Sequence, residues 1–180
     1  KVIIKSNVRD YRAQWLEMAL LNTTENLDRH LASKDAYTTR LKQLSTALGL
    51  AVDPVRLVCF DISHTAGVAT VGACVVFDAE GPVPSQYRRF NMKSVEAGDD
   101  YGAMREVLQR RYRKVVENQE ALPDLVLVDG GKGQYRIAHE VLNELLLGDI
   151  PIVAVAKGRD RKPGNEKLYI SRRNSVLSLP

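Results

Sequence analysis

Two runs that read as buried β-strands each carry an aspartate. The first is Leu57-Val58-Cys59-Phe60-Asp61-Ile62; the second, Leu125-Val126-Leu127-Val128-Asp129, runs straight into Gly130-Gly131-Lys132-Gly133. A carboxylate among Val, Leu and Phe is costly to bury unless something pairs with it. Hard cations such as Mg²⁺ take oxygen ligands and want carboxylates on a rigid frame. Two adjacent strands that each deliver one Asp supply such a frame.

The apolar pattern orders the elements. Val2-Ile3-Ile4 reads as a short strand. From Tyr11 to Leu50 the spacing turns helical, with Trp15, Leu16, Leu20, Leu27, Leu31, Leu41, Leu44 and Leu48 on an apolar face, and two helices are expected with a break near Ser33–Lys34. Three strands follow, Leu57–Ile62, Ala69–Phe77 and Ser85–Met92, punctuated by Gly67 and Glu80-Gly81-Pro82 into two antiparallel hairpins. A helix over Asp99–Asn118, a strand at Asp124–Asp129, a helix from Gln134 to Leu147 and a strand at Ile150–Ala156 complete the pattern, with a short strand at Leu168–Ile170. The order β-β-β-α-β-α-β predicts an α/β fold: a mixed five-stranded sheet flanked by helices, with an N-terminal helical lead-in. The expected division is a lead-in over residues 1–54, packed on a domain over 55–180. The helix between the third and fourth strands allows the fourth to return beside the first. Asp61 then shares a pleat face with Leu57 and Cys59, and Asp129 with Leu125 and Leu127.

Composition bounds the function. The chain has 180 residues and a net charge of +4, which permits a polyanionic partner without requiring one. No apolar run approaches the ~18 residues of a membrane span, so no membrane association is expected. Cys59 and Cys74 both fall in apolar strands and read as reduced core residues of a cytoplasmic protein. Two Cys and three His argue against a structural zinc site.

Other residues carry candidate roles. Asp99 and Asp100 open a helix; one is expected to cap it and the other to point toward the same cleft. Gly130-Gly131-Lys132-Gly133 joins a strand to a helix and can present N–H groups to a phosphate, although it lacks the Walker spacing. Lys132, Lys157, Arg159, Arg161 and Lys162 lie at or beyond the ends of the fourth and fifth strands, where they are expected to contact DNA phosphates; basic loops of this kind are as often simply solvated. His64 reads as a hydrogen-bonded turn residue, and His30 and His139 as surface groups on helices.

Five ordered stretches, CFDISHTAGVATVGACVVFD, YRRFNM, GDDYGAM, PDLVLVDGGKGQ and VAKG, closely resemble the C-terminal endonuclease domain of the UvrC family. The lead-in stretch WLEMALLNTTENL belongs to the same resemblance, which covers essentially the whole chain. The resemblance implies an RNase H-like fold and divalent-metal-dependent cleavage of damaged DNA on the 5′ side of a lesion. It implies Asp61 and Asp129 as catalytic and metal-binding residues, Asp100 as a further catalytic acid, and Mg²⁺ or Mn²⁺ as the ion. The implied partners are damaged double-stranded DNA and the UvrB–DNA complex, with UvrA indirectly. It further implies a histidine in a later helical segment and a tandem helix-hairpin-helix module. The sequence to Pro180 contains neither, so the chain reads as a fragment.

Two other function classes compete. One is a non-catalytic DNA-binding or assembly module in which the acids are structural. The other is a nucleotide-binding α/β protein using the Gly130–Gly133 turn, which would set a phosphate against the Asp129 charge.

Overall fold

The computed structural model describes residues 9–65, 69–92, 95–96, 98–158, 166–170 and 173–178. Val2-Ile3-Ile4 and Gly67 lie outside them. The elements run α1 (Tyr11–Leu48), β1 (Leu57–Thr65), β2 (Ala69–Asp78), β3 (Gly81–Pro82), a 3₁₀ turn (Pro84–Gln86), β4 (Arg88–Asn91), α2 (Asp100–Glu117), β5 (Leu125–Asp129), α3 (Lys132–Glu144), β6 (Ile152–Ala156), β7 (Lys167–Ile170) and β8 (Arg173–Ser178).

All the strands join one mixed sheet in the order β3-β2-β1-β5-β6-β7-β8, with β4 also paired to β2. The five strands expected from sequence form its body, and β3, β7 and β8 extend it. β1 pairs with β5, and β5 with β6, in parallel; the β1–β2, β2–β4 and β6–β7 pairs are antiparallel. The fourth main strand thus does return beside the first. Their register is pinned at the lower end, where Asp124 Oδ2 accepts the backbone N–H groups of Val55 (2.9 Å) and Arg56 (2.8 Å). A slip of one residue would turn every side chain of β5 to the other face.

Alternation along β1 and β5 divides the core between the two faces. Val58, Phe60, Val126 and Val128 pack with Met104, Val107, Leu108 and Tyr112 of α2 and with Ile137, Val141 and Leu142 of α3. Leu57 and Leu125 face the other way, where Val153, Leu168 and the end of α1, through Leu41 and Leu48, cover them. Gly72 of β2 permits the close approach of α2: a Cβ there would overlap the Val107 side chain.

Two expectations are corrected. α1 is a single 38-residue helix, unbroken at Ser33–Lys34. It contains no Gly or Pro, and Thr23, Thr24, Thr39 and Thr46 return their hydroxyls to carbonyls four residues back. It ends where Gly49 takes a left-handed conformation, φ 64°. The strand expected over Ser85–Met92 is shorter, Arg88–Asn91, because Pro84 starts a 3₁₀ turn and has no N–H for a ladder.

Candidate active site

β1 leaves the core as it runs toward its C-terminal end. Phe60 is fully buried, Asp61 is half-buried and Ser63 and His64 are exposed. β5 ends in the same way, with Val128 fully buried and Asp129 half-buried. The parallel register sets Cys59 opposite Leu127 and Phe60 opposite Val128, so Asp61 and Asp129 follow at the same level on neighbouring strands. They share the pleat face that carries Cys59.

The electrostatics agree with that placement. Burial pushes the Cys59 thiol up to about 11, and the negative charges of Asp129 and then Asp61 push it in the same direction. Both carboxylates therefore lie close enough to be felt by one thiol. Burial also raises Cys74 to about 11. Both thiols stay protonated at neutral pH and are poor nucleophiles.

Each carboxylate has a partner. Ser63 Oγ donates to Asp61 Oδ2 at 2.7 Å. Lys157 Nζ, just past the end of β6, donates to Asp129 Oδ2 at 2.8 Å. A cation thus already sits against Asp129. After Asp129 the chain turns at Gly130, whose φ of 142° favours glycine and where a Cβ would collide with Gln134. The Gln134 side chain accepts the Gly131 N–H at 3.0 Å and so closes the turn into α3. Lys132 is exposed on the first turn of α3. The Tyr101 ring lies against Gly133, leaving no room for a Cβ there and joining the start of α2 to the start of α3.

The acids at the head of α2 divide their tasks. Asp99 caps the helix, accepting the Gly102 N–H at 2.9 Å. Asp100 instead bonds through Oδ1 to His64 Nε2. The other ring nitrogen, Nδ1, lies 2.9 Å from Thr70 Oγ1. His64 has the parity of Phe60 and Ile62, so this assembly sits on the α2 side of the sheet, at the end where Asp61 and Asp129 emerge.

Asp61 and Asp129 are thus brought together with Lys157, whereas Asp100 is drawn to His64. Among the described residues no group of three or more His, Cys, Asp or Glu side chains gathers tightly enough to hold a metal ion by itself. Arg159, Arg161 and Lys162 lie outside the described residues. His139 is exposed on α3, beside Tyr135. No helix among the described residues is long and apolar enough to cross a membrane.

From sequence His64 reads as a turn residue, whereas in the structure it pairs with Asp100. The available signal was parity: His64 shares a face with Phe60, which packs under α2, and α2 opens with one acid more than its cap needs. The Lys157–Asp129 ion pair had a weaker signal, a lysine ending the strand next to β5.

Residues 45–180 match the family described as the UvrC RNase H endonuclease domain. The chain is 49% identical over 179 residues to UvrABC system protein C of Hahella chejuensis, covering 99% of this chain and 29% of that protein. It is 47% identical over 180 residues to UvrABC system protein C of Pseudomonas savastanoi pv. phaseolicola, covering 100% of this chain and 30% of that protein. The chain therefore spans a little under a third of the length of these curated relatives. Among solved structures, Ciona intestinalis endonuclease V in complex with inosine-containing DNA is similar at a TM-score of 0.45 and 15% identity, over 73% of this chain and 60% of that one. Human ENDOV is similar at a TM-score of 0.41 and 20% identity, over 71% of this chain and 59% of that one.

Proposed function

The chain belongs to the UvrC RNase H endonuclease domain family, and from that premise we propose that it hydrolyses a phosphodiester of damaged DNA on the 5′ side of the lesion. The observation that carries this reading is the parallel pairing of β1 with β5, which brings Asp61 and Asp129 level on one face of the sheet. A DNA-binding module with structural acids has less in its favour, because neither Asp caps a turn: one accepts from Ser63 and the other holds Lys157.

The donors suit a hard divalent ion. Two carboxylates on adjacent strands offer oxygen ligands, and the Lys157 ammonium on Asp129 marks a place where positive charge is favourable. Mg²⁺ is commonly held by one or two carboxylates plus waters and substrate phosphate, so two acids suffice where a full protein cage is missing. Asp61 and Asp129 would hold Mg²⁺ or Mn²⁺, which when bound supplies an activated water and neutralises charge on the phosphate. Crystals grown with Mn²⁺ should show anomalous density between Asp61 and Asp129; density elsewhere, with none there, would refute this assignment.

The chain's own residues supply the rest. Ser63 fixes the Asp61 carboxylate through its hydroxyl, and Gly130 and Gln134 hold the turn that aims Asp129. Lys157 and Lys132 present positive charge beside the scissile phosphate, with Arg159, Arg161 and Lys162 following Lys157 in sequence. Such contacts fix the backbone without reading bases, as suits an enzyme that must cut in any sequence. In the whole protein the substrate would be the UvrB–DNA complex, loaded by UvrA, in the bacterial cytoplasm.

Phosphate contact has a measurable signature. Lys132→Ala and Arg161→Ala are each expected to lower the slope of log affinity against log salt by roughly 0.9, about equally for unrelated DNA sequences. Titrations of binding at several salt concentrations would check this. An unchanged slope would make these residues a solvated basic surface.

A further inference from the structure

We propose that His64 is a positioning residue for the incision chemistry, holding the Asp100 carboxylate at the head of α2 and anchoring it through Thr70 to β2. The inference rests on the nuclease reading given above and deepens it by assigning a residue outside the pair of strand aspartates.

The geometry divides the roles. Asp99 already caps α2, so the helix does not need Asp100 for that purpose. Asp100 instead turns to the sheet and meets His64 Nε2. A carboxylate only accepts, so Nε2 carries the proton. Nδ1 meets the hydroxyl of Thr70, which can donate or accept as required. Thr70 is His64's cross-strand partner in the β1–β2 ladder and is itself buried, so the imidazole is held from behind by a rigid element. Asp100 and its imidazole remain exposed at 50% and 38% of their side-chain surface. With both ring nitrogens engaged, His64 has none left for a water or a leaving oxygen. That makes it a group that orients Asp100 rather than an acid or a base. The neighbouring Tyr101 ring against Gly133 ties the same helix end to the turn that follows Asp129. A shift of Asp100 is therefore a shift of the helix end that packs on the turn after Asp129. A misplacement of ~1 Å in such a constellation costs about 10²-fold in rate.

The test uses His64→Ala, His64→Gln and Thr70→Val in the full-length protein, with unaltered protein and Asp61→Ala alongside. His64→Ala should lower kcat for incision by about 10²-fold, with KM, DNA affinity and melting temperature unchanged. His64→Gln keeps an N–H that reaches the same carboxylate and should recover activity to within about tenfold of the unaltered protein. Thr70→Val should fall between the two. Independently of activity, the ¹³C resonance of the Asp100 side-chain carboxyl should move in His64→Ala and return in His64→Gln. Full incision by His64→Ala would overturn the proposal. So would equal inactivity of His64→Gln and His64→Ala together with loss of one limb of the pH–rate profile, since that describes an acid or a base. If Asp61→Ala cuts as well as the unaltered protein, the nuclease reading fails instead, and the carboxyl resonance still reports whether His64 holds Asp100.

Discussion

Alanine at Asp61 or at Asp129 is expected to reduce 5′ incision by the full-length protein more than about 10³-fold, beyond the loss from removing a single stabilising hydrogen-bond donor. Folding should survive. Asp61 is half-buried and accepts one hydroxyl, and the Asp129–Lys157 pair is partly exposed, at 31% and 63% of the side-chain surfaces. Ion pairs of that exposure stabilise by about 0–1 kcal/mol. The melting temperature should therefore stay within a few degrees. A reconstituted incision assay and a thermal scan on each variant decide the matter. Unchanged incision would refute the assigned role, and loss of the folding transition would make the aspartate a structural residue.

The opposite outcome is expected one residue earlier. Phe60→Ala should destabilise the fold by about 3–5 kcal/mol, the usual cost of emptying a buried aromatic site. Phe60 is fully buried, its ring centroid lies 5.9 Å from that of Tyr112, and it belongs to the cluster that seals β1 and β5 under α2 and α3. For a domain of this size the melting temperature should fall by roughly 6–20 °C. Denaturant melts with an unchanged m-value would assign the loss to stability alone. A drop under ~1 kcal/mol would mean that the site collapses around the missing ring far better than its packing indicates. Phe60 and Asp61 are neighbours on one strand, so the contrast between them tests whether packing and chemistry divide between adjacent residues of β1.

Much of this was legible in the sequence because it is local. Alternation in Leu57–Ile62 and Leu125–Asp129 sets which side each aspartate takes, and the intervening helix pattern permits the parallel return that the structure shows. The helical lead-in was legible in kind but not in continuity: a break was expected near Ser33–Lys34, yet no residue there breaks a helix. The Asp100–His64–Thr70 assembly was legible only in part: parity puts His64 on the α2 side, but the meeting depends on the height at which α2 meets the sheet. That height follows from the fit of Val107 over Gly72, which periodicity does not specify. Lys157 reached Asp129 for a similar reason: the β5–β6 register, with Asp129 opposite Val155, decides it.

The parallel β1–β5 junction also bears on when the candidate site can form during synthesis. The partners in that ladder are separated by about 70 residues of chain, so closing it carries the entropy of a long loop and gives the pairing a high contact order. The β1–β2 hairpin can form early from local contacts, but by itself it presents one aspartate. The second joins it only when β5 docks beside β1, where Asp124 is bonded to Val55 and Arg56. A nascent or partly unfolded chain therefore lacks the pair, and any competence to cut is confined to the finished sheet.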